Sequence, residues 1–180
     1  HSSRRERCEG LIHYVWGDCR SWVPPRGRKI AFVGIFTPCT HVAVSGARDF
    51  EAKGLRMLTD TLDMFNASIH AAEWCGAPYF AENPVGVISS HHRKPDWVFD
   101  PCDYAGYLDE PEQEAYTKKT CLWTGGGFVM PERKRVEPIL GSKMHLMPPT
   151  EDRGGLRSVT PKGFSKAVFL ANCKRVAVAM

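Results

Sequence analysis

The chain is 180 residues long with a mass of 20.2 kDa, which suits one domain with room for a buried core. An apolar share of 43% and a charged share of 24% exclude a disordered tail, a collagen-like rod and a coiled coil. The net charge of +4 and pI near 8.7 permit contact with phosphate, but no cluster of charge demonstrates it.

No apolar run approaches the roughly 18 residues that cross a bilayer, so no membrane span is expected. The charged start, His1 to Cys8, has no apolar core behind it, so no secretory signal is expected. His1 is not Met, which fits a processed or trimmed start. The seven cysteines, at 8, 19, 39, 75, 102, 121 and 173, are odd in number and form no C-x-x-C. That pattern argues against a zinc knuckle or a disulfide framework and for buried thiols in a reducing cytoplasm.

In chain order, residues 1–29 read as an irregular basic segment ending in Pro24-Pro25-Arg26-Gly27. Ile30 to Phe36 is a short apolar run with β-branched and aromatic residues, stopped by Thr37-Pro38. That pattern predicts a strand buried on both faces, as in a parallel sheet. A loop is expected from His41 to Asp49. Phe50 to Cys75 carries Leu55, Leu58, Leu62, Phe65, Ile69 and Ala72 at helical spacing, ended by Gly76 and Pro78. Tyr79-Phe80-Ala81 then predicts a second strand before Glu82-Asn83-Pro84.

Strand, long helix, strand is a βαβ unit over residues 30–84. Ligands of open α/β sheets bind beyond the carboxyl ends of the strands. If these two strands are neighbours, Cys39 and Glu82 face one crevice, a potential nucleophile beside a potential acid.

Residues 91–116 read as a loop-rich insertion. Residues 117–180 hold a basic strand, Thr120 to Trp123 behind Lys118-Lys119, then Gly125-Gly126-Gly127 as a loop hinge. A C-terminal helix is expected from Lys162 to Val178. His91-His92 lacks partners at ligand spacing, so no metal is expected.

These residues resemble a family. Pro38-Cys39-Thr40, with Ser45-Gly46 shortly after, resembles the catalytic Pro-Cys loop of C5 cytosine DNA methyltransferases. Glu82-Asn83-Pro84 resembles their Glu-Asn-Val motif, and Lys118 to Trp123 their later basic strand. The wording is more similar still to short methyltransferase-like proteins of phages and prophages. The stretches concerned are Phe36 to Arg48, Glu82 to Ser89, Arg93-Lys94-Pro95-Asp96 and His145-Leu146-Met147-Pro148-Pro149. The likeness covers roughly residues 12–172.

The resemblance implies one α/β domain with a mostly parallel sheet and flanking helices, Rossmann-like, using S-adenosylmethionine on double-stranded DNA. A bacterial or phage-infected cytoplasm follows. Cys39 would add to cytosine C6 as a thiolate and Glu82 would stabilise the charge that develops. The target base would be flipped out of the duplex. Asp18, in a Gly17-Asp18 pair, and Pro38 would contact the cofactor. Ser45, Lys118 and Lys119 would contact nucleic acid.

The family holds the methionine half of its donor with a Gly-rich turn, and no such turn precedes Cys39. Three explanations fit: a lost upstream segment, a partner chain that supplies it, or loss of methyl transfer. Two other function classes therefore stand beside methylation. One is a degenerate module that binds DNA or a protein, as an anti-restriction factor would. The other is cysteine-dependent modification of a cytosine nucleotide with a different one-carbon donor.

Overall fold

A computed structural model of the chain describes residues 6–25, 27–146 and 153–173. Arg26, Met147-Pro148-Pro149 and the expected helical residues 174–178 lie outside the described residues.

The N-terminal segment is not irregular throughout. β1 (Glu6–Glu9) and β2 (Ile12–Val15) form an antiparallel hairpin. Then a 3-10 turn, Cys19–Ser21, docks beside the long helix α1 (Phe50–Cys75). Asp18 caps the turn by accepting the Arg20 amide, and Arg20 reaches Asp60 and Asp63 of α1 at 3.6 and 3.7 Å.

The main sheet has four strands in the order β3 (Val33–Phe36), β4 (Tyr79–Pro84), β6 (Thr120–Gly125), β5 (Trp97–Phe99). β3 and β4 are parallel, joined through α1, while β6 runs antiparallel to both β4 and β5. The expected mostly parallel, Rossmann-like sheet is thus corrected to a mixed and mostly antiparallel one. The physical reason is the connection. The long helix α1 crosses over between β3 and β4 and leaves them parallel, whereas the link from β4 to β6 holds only a four-residue helix, 3-10 turns and one short strand, which lets the chain return in the opposite sense.

β3 is shorter than the Ile30–Phe36 run and is not buried on both faces. It stands at the sheet edge, so Ile35 is buried while Phe36 is 54% exposed. α1 keeps its expected bounds but breaks at Gly54, whose φ of 75° and ψ of 164° lie in a region open to glycine. Its inward face is Phe65, Ile69 and Ala72, with Leu58 and Leu62 partly buried and Leu55 outside.

Side chains alternate across the sheet, giving two cores. On one face Ile35, Tyr79, Ala81, Cys121 and Trp123 pack with α1. On the other, Phe80, Phe99 and Leu122 pack with Tyr104 and with Phe164, Ala167 and Val168 of a C-terminal helix. Phe164 stacks on Phe99 at 4.3 Å between ring centres.

Short helices α2 (Ile88–His91), α3 (Lys143–Leu146) and α4 (Arg153–Ser158) precede that last helix, α5 (Lys162–Asn172). The buried Glu114 carboxylate accepts the Lys162 and Gly163 amides at 2.6 and 2.9 Å, fixing where α5 begins. Among the described residues, no helix is long and apolar enough to cross a membrane.

Candidate functional site at the end of the parallel pair

The register pairs Phe36 with Glu82, so the segments after β3 and β4 leave the sheet side by side. They are then stitched together. Val44 donates its amide to the Val85 carbonyl at 3.0 Å, and Val87 donates to the Val42 carbonyl at 2.9 Å. Ala43 bridges Gly86 across the gap. Gly86 permits this closeness, since a Cβ there would sit 2.0 Å from the Val42 oxygen. The stitched pair carries Pro38 and Cys39 on one arm and follows Glu82 on the other.

Cys39 is half-buried, a free thiol packed on the α1 face. Its carbonyl accepts the Val42 and Ala43 amides at 3.1 and 3.0 Å. Glu82 lies inside β4 rather than after it. It shares the opposite face with Phe80 and Leu122, by strand alternation and register. Cys39 and Glu82 thus lie near one end of adjacent parallel strands, but Cys39 packs on the α1 face and Glu82 on the other, rather than side by side in the one crevice expected.

Glu82 is only 9% exposed. Burial pushes its carboxyl above the ordinary carboxylate range, and the Lys118 ammonium pulls the other way. Asn83, next along, faces α1 and is fully buried. Its Nδ2 donates to the Thr37 carbonyl and to Thr37 Oγ1, while its Oδ1 meets no donor among the described residues. An unmet buried acceptor costs about 1–3 kcal/mol.

Asp18 and Pro38 line one cleft of about 770 Å³ along the open edge of β3. Trp16, Trp22 and Phe36 give it aromatic walls. Asp18 is engaged there by Arg20, with Nη2 2.7 Å from Oδ2, which holds its carboxyl at about 2.

Ser45 is exposed on the 3-10 turn Val44–Asp49. Lys118 is half-buried, its amide bonded to Asp100 and its Nζ 3.5 Å from the Val159 carbonyl, whereas Lys119 is exposed. The Arg133-Lys134-Arg135 run is exposed, but its charges are engaged by the fold. Both arginines pair with the buried Asp103, and Lys134 lies over the Tyr107 ring. His41 keeps a buried Nδ1 without a partner among the described residues. No group of three or more metal-ligating side chains forms among them either.

Sequence reasoning missed the roles of Gly86 and Asn83 and the engagement of Asp18 by Arg20. Asn83 was visible as part of a motif, but nothing in the motif says that its amide faces Thr37. No protein-family model matches the chain, and neither a curated protein nor a solved structure is similar to it.

Proposed function

We propose that this chain modifies cytosine at C5 in double-stranded DNA through a covalent adduct with Cys39. The observation that carries this reading is the stitched end of the parallel pair, where a half-buried thiol three residues past β3 and a buried carboxyl inside β4 lie at the same end of adjacent strands.

C6 and N3 are opposite atoms of the pyrimidine ring. A thiol and an acid that reach the sheet end from different faces can therefore address both in a base flipped out of its stack. The Cys39 thiolate adds to C6, forming a C–S bond and moving the ring electrons toward C5 and N3. Glu82, held toward its neutral form by burial, donates a hydrogen bond to N3 and disperses that charge. C5 then takes an electrophile, a base removes the C5 proton, and the C–S bond breaks to return the thiolate.

S-adenosylmethionine is the donor that the family resemblance implies, and the cleft beside Pro38 fits its nucleoside half. It has the volume of a cofactor site and three aromatic walls, Trp16, Trp22 and Phe36. Its lining holds the separate glycines Gly17 and Gly34 and no Gly-x-Gly turn for the amino-acid half. Bound there, the donor would supply an electrophilic methyl group. One observation favours the alternative of a binding module: Arg20 already occupies the Asp18 carboxylate.

A donor-free experiment tests the reading. Thiolate addition makes C5 basic enough to exchange its hydrogen with solvent, so duplex DNA deuterated at cytosine C5 should lose label to water. Loss that needs Cys39 and stops in Cys39→Ser supports the proposal. Retention of label by DNA that the protein binds would contradict it.

A further inference from the structure

Cys39 is pinned from both sides, and one of the clamps is a buried side chain with no step in the chemistry above. Downstream, the Val42 and Ala43 amides hold the Cys39 carbonyl. Upstream, Asn83 Nδ2 crosses from β4 to the Thr37 carbonyl at 3.1 Å and to Thr37 Oγ1 at 3.2 Å. Pro38 stands between Thr37 and Cys39, and its ring locks φ near about −65°. A fixed Thr37 carbonyl therefore leaves few torsions free before the Cys39 Cα.

The rest of the amide is the second observation. Asn83 is 1% exposed, and its Oδ1 is buried without a donor among the described residues. A leucine would fill similar volume beside Cys121 without that unmet acceptor. Unsatisfied buried polar atoms call for an explanation, and here the other half of the same amide supplies one. That half reaches both acceptors of Thr37 from β4.

We propose that Asn83 is a positioning residue for Cys39, its carboxamide setting the direction in which the Thr37–Pro38–Cys39 turn presents the thiol. The inference rests on the reading of Cys39 as the nucleophile. It concerns how the thiol is held, so it can be tested apart from what the thiol attacks.

Asn83→Asp keeps the shape and the acceptor but places a second acceptor against the Thr37 carbonyl. Thr37→Val keeps the carbonyl bond and removes the one to Oγ1. The probe is iodoacetamide, with alkylation read separately on the Cys39, Cys102 and Cys121 peptides. In Asn83→Asp, release of the turn should speed Cys39 alkylation by about tenfold while Cys102 and Cys121, both buried, stay protected. Thr37→Val should give a smaller change of the same sign.

In the deuterium-release assay, kcat should fall by about 100-fold in Asn83→Asp with KM for the duplex unchanged, because misplacement of a reacting group acts on the chemical step. Cys39 reacting at the wild-type rate in both variants would overturn the proposal. So would a rise in Cys39 reactivity only in step with Cys102 and Cys121, the mark of general loosening. If wild-type protein releases no deuterium while Cys39 alkylation still answers to Asn83, the positioning role stands and the cytosine reading fails.

Discussion

Glu82 gives up most of its hydration to sit in register between Phe36 and Leu122, and the consequence depends on pH. Its folded-state pKa is raised, mainly by burial, so the folded chain holds that proton more tightly than the unfolded chain. The associated stability is complete at pH below the ordinary carboxylate range and is lost as pH rises through the raised pKa. Glu82→Gln, neutral at every pH, should therefore be more stable than wild type near neutrality, with the difference vanishing in acid. Urea midpoints at the two pH values check this. A variant less stable than wild type near neutrality would show that the carboxylate is compensated by partners the structure lacks. The type of this residue was legible from its motif, but its burial was not. Tyr79-Phe80-Ala81 was expected to end the strand, whereas pairing with β6 carries β4 on to Pro84.

The two arms beyond β3 and β4 stand or fall together as an element. Gly86 is where they touch, and a Cβ at that point meets the Val42 carbonyl oxygen at 2.0 Å and its carbon at 2.9 Å. Both are backbone atoms and cannot swing aside. Gly86→Ala should cost about 1–3 kcal/mol, as overpacking does elsewhere. It should also raise hydrogen exchange at the Val44 and Val87 amides, whose bonds cross the gap. An unchanged urea midpoint with both amides protected would contradict this account of the stitch.

Legibility varied by element for physical reasons. α1 was clear because 26 residues supply many turns of one periodic pattern. β5, three residues of Trp97–Phe99 with two of them exposed, has no pattern to read and exists because β6 offers it an edge. The 3-10 turn Val44–Asp49 replaces the expected loop, and its exposure left no apolar signal.

Across the whole molecule, strand direction was the largest gap between sequence and structure. A helix between β3 and β4 fixes parallel pairing, and that part was readable. The direction of β6 depends on the path of some thirty-five residues between β4 and β6, mostly turns and loops around two short elements, which hydrophobic periodicity does not encode. The modest positive charge is also distributed in a way that composition hides. Lys118 is held near Glu82 and the Val159 carbonyl, while Lys119 is exposed beside it. In duplex binding, Lys119→Ala should reduce the slope of log K against log salt by about 1, the loss of one phosphate contact. Lys118→Ala should instead raise the Glu82 pKa further by removing the cation that opposes burial. Fluorescence titrations over a salt series test the first. Equal slopes for wild type and Lys119→Ala would remove Lys119 from the DNA surface.

The adduct itself is the most direct test of the central claim. A duplex carrying 5-fluorocytosine cannot lose fluorine as a proton is lost, so once C5 has taken its methyl group the cysteine cannot be eliminated. Incubation with S-adenosylmethionine, proteolysis and mass spectrometry should find the modified nucleotide bonded to the Cys39 peptide and to none of the other six cysteine peptides. The bond should be absent in Cys39→Ser, because a hydroxyl is a much weaker nucleophile near neutrality. A protein that binds the fluorinated duplex tightly and carries no nucleotide on Cys39 would contradict the account.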